Sequence, residues 1–138
     1  MRCLLLILLC CLLSVSCDSS SDYTADLMVT DVEVDPVAPE PGQTIVLTFR
    51  IRNQGKRSAG DFSWVLVRSG AGVLTERRIA GIASQRQSAV QLVTITEVAG
   101  THTYRILLDV YDEIDEGDDG KDNNEHIFIV DVRPSGDG

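Results

Sequence analysis

Apolar residues recur at about every second position from Ala25 onward. A period of two is that of a β-strand, whose successive side chains point to opposite faces, whereas a helix repeats every 3.6 residues. The clearest case is the segment 44–52, where apolar positions alternate with Thr and Arg. Its apolar positions are Ile45, Leu47, Phe49 and Ile51. This segment predicts a strand with one buried and one solvated face.

Six further segments predict short strands, and turn residues separate them. They are residues 27–34, 62–67, 73–79, 90–95, 104–110 and 127–132. In the first, the apolar positions change parity at Thr30-Asp31, as a β-bulge would cause. In the segment 90–95, which is the fifth predicted strand of the chain, Val90 and Leu92 set the parity of the buried positions. The parity becomes ambiguous beyond them. Seven short strands without a helical period predict an all-β fold, an immunoglobulin-like antiparallel β-sandwich in one domain.

Two aromatic residues fit this architecture. Trp64 lies on the third predicted strand, where immunoglobulin-like folds bury a Trp between the sheets. Tyr104 lies near the start of the sixth, where such folds place a corner tyrosine. Both are therefore predicted to be structural residues of the core.

The first 16 residues predict a signal peptide. Arg2 precedes an apolar run at 3–13, about half the ~20 residues that a membrane-spanning helix needs. Ser14-Val15-Ser16 then provides small residues before Cys17. Residues 17–24 predict a flexible tether, 25–133 the sandwich domain and 134–138 a tail.

The segment Ser14-Val15-Ser16-Cys17 resembles a bacterial lipobox, with Ser14 where Leu is usual. The resemblance implies cleavage between Ser16 and Cys17, a diacylglyceryl group on the Cys17 sulfur and an acyl chain on its amine. The protein would then be exported and anchored by lipid at the cell envelope, on a membrane that the sequence does not identify. The alternative is ordinary signal peptidase, which would cut the same bond and leave Cys17 free.

Charge is concentrated in one stretch. Residues 109–125 hold nine of the 21 acidic residues and one base, Lys121, in a chain of net charge −9. The acidic balance and the scattered bases argue against nucleic acid as a partner. All four cysteines lie in the first 17 residues, so the domain has no disulfide or thiolate metal site.

The acidic stretch also suggests calcium, which prefers carboxylate and amide oxygens. The EF-hand pattern fails, because Gly117 and His126 occupy ligand positions when Asp115 is the first. A site of another type is predicted with four candidate ligands, namely Asp115, Asp118, Asp119 and Asp122. The alternative is a solvated turn in which Asn123 and Asn124 bond loop backbone. No other cofactor is indicated.

The sequence argues against an enzyme. His102 and His126 are the only histidines, and neither belongs to a nucleophile or zinc motif. The carboxylates of residues 109–125 lie in a charged loop, which is predicted to be flexible. Such a loop lacks the rigid cleft that fixes the separation of glycosidase carboxylates.

The mature region as a whole resembles the CARDB family, the cell-adhesion-related domain found in bacteria. The residues that carry the resemblance are 25–34, Pro41-Gly42, Arg52–Gly55, 100–104, Ile114, Glu116 and Asn123-Asn124. The family's usual run is Ile-x-Glu-x-x-Glu-x-Asn-Asn, and here the two asparagines come two residues late. The resemblance implies a seven-stranded immunoglobulin-like sandwich on a secreted or surface protein with an adhesion or binding role.

Two functions remain open from the sequence. The first is a non-catalytic adhesion or binding module on a lipid anchor, whose partner is a protein or a glycan. The second is a structural or accessory subunit that docks onto an envelope assembly through the sandwich. An exposed apolar stripe beside Val65 and Val67 would favour the second, and calcium-dependent binding by the long loop would favour the first.

Overall fold

The structure is a computed structural model that describes residues 23–118 and 120–136. In this part the chain forms seven strands and one short 3-10 turn, Gly120–Asn123. The strands are β1 (Leu27–Asp35), β2 (Ile45–Asn53), β3 (Phe62–Arg68), β4 (Gly72–Ile79), β5 (Gln91–Ile95), β6 (Gly100–Leu108) and β7 (Glu125–Val132). β4, β6 and β7 begin one, four and two residues earlier than predicted.

The strands form two antiparallel sheets that pack face to face. One sheet has the order β1-β2-β5 and the other β4-β3-β6-β7. Each sheet contributes its inward-facing side chains to a single core, which is the arrangement of an immunoglobulin-like sandwich. The predicted fold class is therefore confirmed. β1 and β7 are edge strands that lie near each other, and β4 and β5 are the other two edges.

The core follows the predicted alternation. On β2, Ile45, Leu47, Phe49 and Ile51 are all fully buried. Phe49 meets Trp64 of the opposite sheet edge-to-face, with ring centroids 4.9 Å apart and planes at 81°. Trp64 is fully buried, and its indole N–H donates to Gln91 Oε1 at 3.3 Å. Trp64 therefore lies between the sheets, as predicted.

The parity change in β1 is a bulge. The pairing of β1 with β2 shifts register between Thr30 and Glu33, and Asp31 has a positive φ of 53°. Asp tolerates the left-handed region better than most residues. Beyond the bulge, Val32 and Val34 pack against the edge of the core instead of entering it.

Two details of the strand prediction were wrong. Val93 and Ile95, not Val90 and Leu92, turn inward on β5, because they pair with the buried Leu47 and Ile45 of β2. Val90 and Leu92 are about half exposed. Val110 is not part of β6, which ends at Leu108, and Asp109 then turns the chain with a φ of 50°.

The predicted signal peptide, the bond between Ser16 and Cys17 and most of the tether lie outside the described residues. Lipid attachment at Cys17 therefore stays a prediction. Within residues 23–118 and 120–136, no helix has the length and apolar character that a membrane span requires.

Candidate functional site

The acidic stretch begins with a residue that is buried. Asp109 is 7% exposed, and its carboxylate accepts hydrogen bonds from the backbone N–H groups of Glu113 (2.8 Å) and Ile114 (3.0 Å). These bonds fold the chain back so that Ile114 enters the core at 6% exposure. The first part of the β6–β7 connection is thus an ordered turn held by its own carboxylate.

Glu116 is the most buried carboxylate of this connection, at 2% exposure. Its Oε1 accepts a 2.6 Å hydrogen bond from the backbone N–H of Leu27, and its Oε2 accepts one from Asn124 Nδ2. The Gln54 N–H donates to the Asp26 carbonyl, so the backbone groups of Asp26 face β2. Successive residues of a strand face opposite sides, and the Leu27 N–H therefore faces away from β2. Glu116 therefore closes the free edge of β1 and ties it to the residue that precedes β7.

The environment of Glu116 opposes its ionisation. Burial raises the pKa of Glu116 above its ordinary value near 4.5, and the hydrogen bonds from Leu27 and Asn124 partly offset this effect. The charges of Asp109 and Asp26 raise the pKa further. A buried carboxylate whose hydrogen-bond partners are backbone and amide groups is typical of a structural role.

The Arg52–Gly55 motif meets the acidic stretch at the same place. Asn53 is fully buried, and its Oδ1 accepts from the Asp26 N–H at 3.1 Å, while its Nδ2 donates to two backbone carbonyls. The Asp26 carboxylate in turn accepts from Asn123 Nδ2 at 2.8 Å. We call Asp26, Asn53, Glu116, Asn123 and Asn124 the end cluster, because it joins three chain segments at one end of the sandwich.

The end cluster corrects two predictions. The side chains of Asn123 and Asn124 bond the carboxylates of Asp26 and Glu116, not loop backbone. The connection between β6 and β7 is not a flexible, fully charged loop, because Asp109, Ile114 and Glu116 are buried. The carboxylates of Asp109 and Glu116 are also hydrogen-bonded to backbone N–H groups. The motif residues of the sequence are thus mainly structural.

The candidate calcium ligands do not converge in the described part of the chain. Asp115 Oδ1 accepts from the Gly117 N–H at 3.2 Å, and Asp122 is exposed on the 3-10 turn. Asp118 is also exposed, and Asp119 lies outside the described residues. Residues 23–118 and 120–136 contain no group of three or more His, Cys, Asp or Glu side chains placed to hold a metal ion. Calcium binding stays a prediction, which calorimetry with millimolar calcium on the wild-type chain and Asp118→Asn would test.

A second polar cluster lies at the start of β6. The hydroxyl of the fully buried Tyr104 donates to Glu97 Oε1, and Arg68 Nε lies 2.8 Å from the same oxygen. Burial, and then the bond to Glu97, raise the pKa of Tyr104 well above its ordinary value near 10. His102 Nδ1 lies 3.1 Å from an Arg68 nitrogen, and Nε2 lies 2.8 Å from the Val98 carbonyl. Both ring nitrogens of His102 therefore have partners. Tyr104 is a buried core residue, as predicted. It differs from a corner tyrosine, because it lies at the centre of β6 and its hydroxyl bonds the Glu97 side chain instead of upstream backbone.

The outer face of the four-stranded sheet exposes apolar side chains. Ile127 is 58% exposed and Ile129 61%, and Val73, which pairs with Val67 across β3 and β4, is 59% exposed. Val65 is only 5% exposed and Val67 half-buried. Val73 lies directly beside Val67, whereas Arg105 of β6 separates Val67 from Ile127. The exposure of Ile127 and Ile129 was not predicted from the sequence. Their signal was the unbroken apolar run at 127–130, which places apolar side chains on both faces of an antiparallel strand.

A groove separates β7 from the end of β1. It encloses about 650 Å³, and its lining residues include Val32, Val34, Val37 and Ile129 together with Glu33 and Asp35. Because the two strands belong to different sheets, the groove opens where the two layers of the sandwich part. It is apolar along its walls and acidic on the β1 side.

The sequence of this domain matches the model of one protein family, CARDB, over residues 24–128. That match covers most of the chain. The protein belongs to the CARDB family. No curated protein matches it.

Solved CARDB structures have the same fold. The CARDB domain of a Pyrococcus furiosus protein, in complex with di-metal ions, is 14% identical, with a TM-score of 0.68 over 79% of this chain and 89% of that chain. A domain described as part of a cell surface protein of Methanosarcina acetivorans is 21% identical, with a TM-score of 0.52 over 76% and 90%. At these identities the likeness establishes the fold, and the metal ions are a property of the Pyrococcus domain.

The same sandwich occurs inside larger enzymes. A β-glucosidase of Listeria innocua is 10% identical, with a TM-score of 0.55, over 79% of this chain but only 16% of its own. The likeness concerns a small part of that enzyme and shows only that the two share a fold, because function resides in sites and not in folds.

Proposed function

We propose that this CARDB protein is a non-catalytic binding module, displayed at the cell envelope on a lipid attached to Cys17. Membership of a cell-surface, adhesion-related family supports the binding role. The single observation that carries it is the outer face of β7, where Ile127 and Ile129 are each more than half exposed. Exposed apolar residues grouped on a rigid sheet are typical of interaction surfaces.

The carboxylates and histidines of the domain support a non-catalytic role. Asp109 and Glu116 are bonded to backbone N–H groups, and Glu97 is bonded to Tyr104 and Arg68. The buried ionisable groups of the described part thus serve to hold the ends of the sandwich together. A general acid or base needs instead to reach a substrate.

The lipid anchor rests on the sequence Ser14-Val15-Ser16-Cys17. Several acyl chains would hold the chain on a membrane, since each buried CH₂ contributes about 0.8 kcal/mol. Mass spectrometry of the mature N-terminus tests this anchor. An acylated Cys17 is expected, and loss of membrane retention in Cys17→Ala would accompany it, whereas an unmodified Cys17 would refute the anchor.

The alternative function is an accessory subunit that docks permanently onto an envelope assembly. Val73 beside Val67 is the specific observation that favours it, because that position forms part of an exposed apolar stripe. A docking subunit would remain in one stoichiometric complex after purification. A binding module would exchange its ligand and be recovered alone.

A test of both functions compares variants on the two outer faces. Ile127→Thr with Ile129→Thr changes the four-stranded sheet, and Val90→Thr with Leu92→Thr changes side chains of similar exposure near β5. The first pair is expected to reduce binding of the full chain to envelope preparations, with and without chelator, and the second pair to leave it unchanged. Equal effects of both pairs, or none, would contradict a binding role for this sheet.

A further inference from the structure

The backbone of β7 alternates between paired and unpaired groups. The Leu108 N–H donates to the Asn124 carbonyl at 2.8 Å, and this bond continues the antiparallel register of β6 with β7. Bonded and non-bonded pairs alternate in such a ladder. The backbone groups of the even-numbered residues 124–132 therefore face β6, and those of the odd-numbered residues 125–133 face away from the sheet.

One of these outward groups already has a partner. The Arg133 N–H donates to the Pro39 carbonyl at 3.1 Å, which shows that the free edge of β7 runs towards the segment that follows β1. Between the two lies the groove of Val32, Val34, Val37 and Ile129. Among the described residues, no other strand pairs with this edge of β7.

β7 is also the edge with the least protection against a further strand. Natural edges are commonly protected by charged residues, bulges or short length. β4 carries Glu76, Arg77 and Arg78, β1 carries a bulge with three acidic residues, and β5 is five residues long. The eight residues of β7 have charges only near the ends, at Glu125 and Asp131, and four apolar residues between them.

The charged residues that line the groove are all acidic. Glu33 and Asp35 are part of its lining, and no basic residue is. Asp31 is exposed on the same strand, and Asp131 lies on β7. A segment that entered the groove would thus face the carboxylates of Glu33 and Asp35 on the β1 side and apolar side chains of β1 and β7.

We infer that the β7 edge and the β1–β7 groove bind an extended, basic segment of a partner protein, which pairs with β7 as an additional antiparallel or parallel strand. Alternate apolar side chains of the segment enter the groove, and its Lys or Arg side chains meet Glu33 and Asp35. Backbone bonds supply affinity, and the alternating side chains supply specificity. This inference rests on the proposed binding function and names the partner's chemistry.

A second copy of this chain fits the same edge less well. Each copy carries a net charge of −9, and pairing β7 with another β7 would bring the acidic groove residues of two chains together. Like charges placed opposite each other across a pair of strands are destabilising. A basic segment gains from the same charges, so charge complementarity selects a different protein as the partner.

The experiment titrates the purified full chain with fluorescent peptides and measures anisotropy. The probe is Lys-Val-Lys-Val-Lys-Val-Lys, long enough to span most of β7. A peptide with N-methyl groups on alternate residues tests the backbone bonds without changing the protein. A peptide of the same composition with its lysines and valines in separate blocks controls for net charge alone. Both control peptides are expected to bind about tenfold more weakly.

Protein variants test the edge itself. Ile129→Pro removes an N–H that points away from the sheet and leaves the bonds to β6 in place. An edge strand tolerates proline at such a position. The matched control is Leu92→Pro at the free edge of β5, because odd-numbered residues of β2 and β5 form the bonded pairs between those strands. Binding is expected to weaken about tenfold in Ile129→Pro and to change less than about twofold in Leu92→Pro.

A second pair of variants tests the charges. Glu33→Gln with Asp35→Asn removes two charges at the groove, and Asp118→Asn with Asp122→Asn removes two from the acidic connection. The first pair is expected to weaken binding about fivefold and the second pair to have little effect, with affinity falling as salt is added. Hydrogen exchange of the saturated complex is expected to show new protection at the Ile127 and Ile129 amides.

Four results would overturn the inference. One is equal binding of the alternating, blocked and N-methylated peptides, since this would be a nonspecific response to charge. Another is protection that appears in residues 109–124 instead of β7. The third is concentration-dependent dimerisation that Ile129→Pro abolishes, because the edge would then pair with a second copy. The fourth is a chain that still binds envelope preparations but does not bind the alternating peptide. This result would refute the peptide site at the β7 edge and leave the proposed binding function unaffected.

Discussion

Removal of the Glu116 carboxylate tests the structural reading of the acidic stretch. Glu116→Ala would leave two buried donors, the Leu27 N–H and Asn124 Nδ2, without their acceptor. Each unsatisfied buried donor costs about 1–3 kcal/mol. We therefore expect the free energy of unfolding to fall by about 2–6 kcal/mol, which is a large part of the stability of a small domain.

Glu116→Gln separates the hydrogen bonds from the charge. The new amide oxygen would still accept from Leu27, and its NH₂ would face Asn124, whose buried Oδ1 has no partner among the described residues. Rotation of the Asn124 amide would then provide an acceptor. We expect Glu116→Gln to remain within about 1 kcal/mol of the wild type.

The two proteins should also differ in their dependence on pH. Because the folded-state pKa of Glu116 is raised above its ordinary value near 4.5, the folded protein binds the proton more tightly than the unfolded chain. Its contribution to stability is fully present below that value and is lost as pH rises through the folded-state pKa. Stability of the wild type relative to Glu116→Gln should therefore fall as pH rises above about 4.5.

The assay is urea unfolding followed by the fluorescence of Trp64, the only Trp and a fully buried one. The control is Glu113→Ala, which removes an exposed ion pair with Arg78 at 2.8 Å and should cost less than about 1 kcal/mol. If Glu116→Ala proved no more destabilising than Glu113→Ala, the end cluster would not have the structural role assigned to it.

Three further outcomes are expected. Gly55→Ala should lower the free energy of unfolding by about 1–3 kcal/mol, because an added Cβ would lie 2.6 Å from backbone atoms of Ala25 and Asp26. Gly60→Ala is the control and should be neutral in the same urea assay, since Gly60 has open space around it. Equal stabilities of the two variants would refute the close approach at Gly55. Tyr104→Phe should lose about 1–3 kcal/mol, since Glu97 loses a buried donor, and an unchanged unfolding midpoint would count against this. In an ultraviolet titration of the folded protein, Tyr104 should ionise at a higher pH than the exposed tyrosines, because its folded-state pKa is raised above about 10. Its contribution to stability should therefore be lost only as pH rises beyond that value. Ionisation of Tyr104 at its ordinary pKa in the folded protein would contradict its burial.

The fold could be predicted from the sequence where one face of a strand is apolar. On β2, Ile45, Leu47, Phe49 and Ile51 alternate with polar residues, and burial of one face leaves a single choice of orientation. β5 has apolar residues of both parities, so its pairing with β2 decides which ones turn inward. A strand of that kind does not reveal its buried face by pattern alone.

The end cluster shows a different limit. Asn53, Glu116 and Asn124 belong to recognisable motifs, but Leu27 and Glu116 are 89 residues apart in the chain. Their contact depends on the packing of two sheets, which no local spacing encodes. The concentration of charge at 109–125 suggested a binding loop, although two of its carboxylates, Asp109 and Glu116, accept hydrogen bonds from buried backbone N–H groups. The position of β7 at the edge of its sheet could not be predicted either, because the alternation of apolar and polar residues does not show which strands lie at an edge.

The most direct test of the binding role is site-specific photo-crosslinking in living cells. A photoreactive residue is placed at Ile129 of β7 in one chain and at Leu92 of β5 in another, two positions of comparable exposure. We expect a discrete adduct with a partner protein from position 129 and none from position 92. Adducts of equal yield from both positions, or an adduct from position 92 alone, would contradict it.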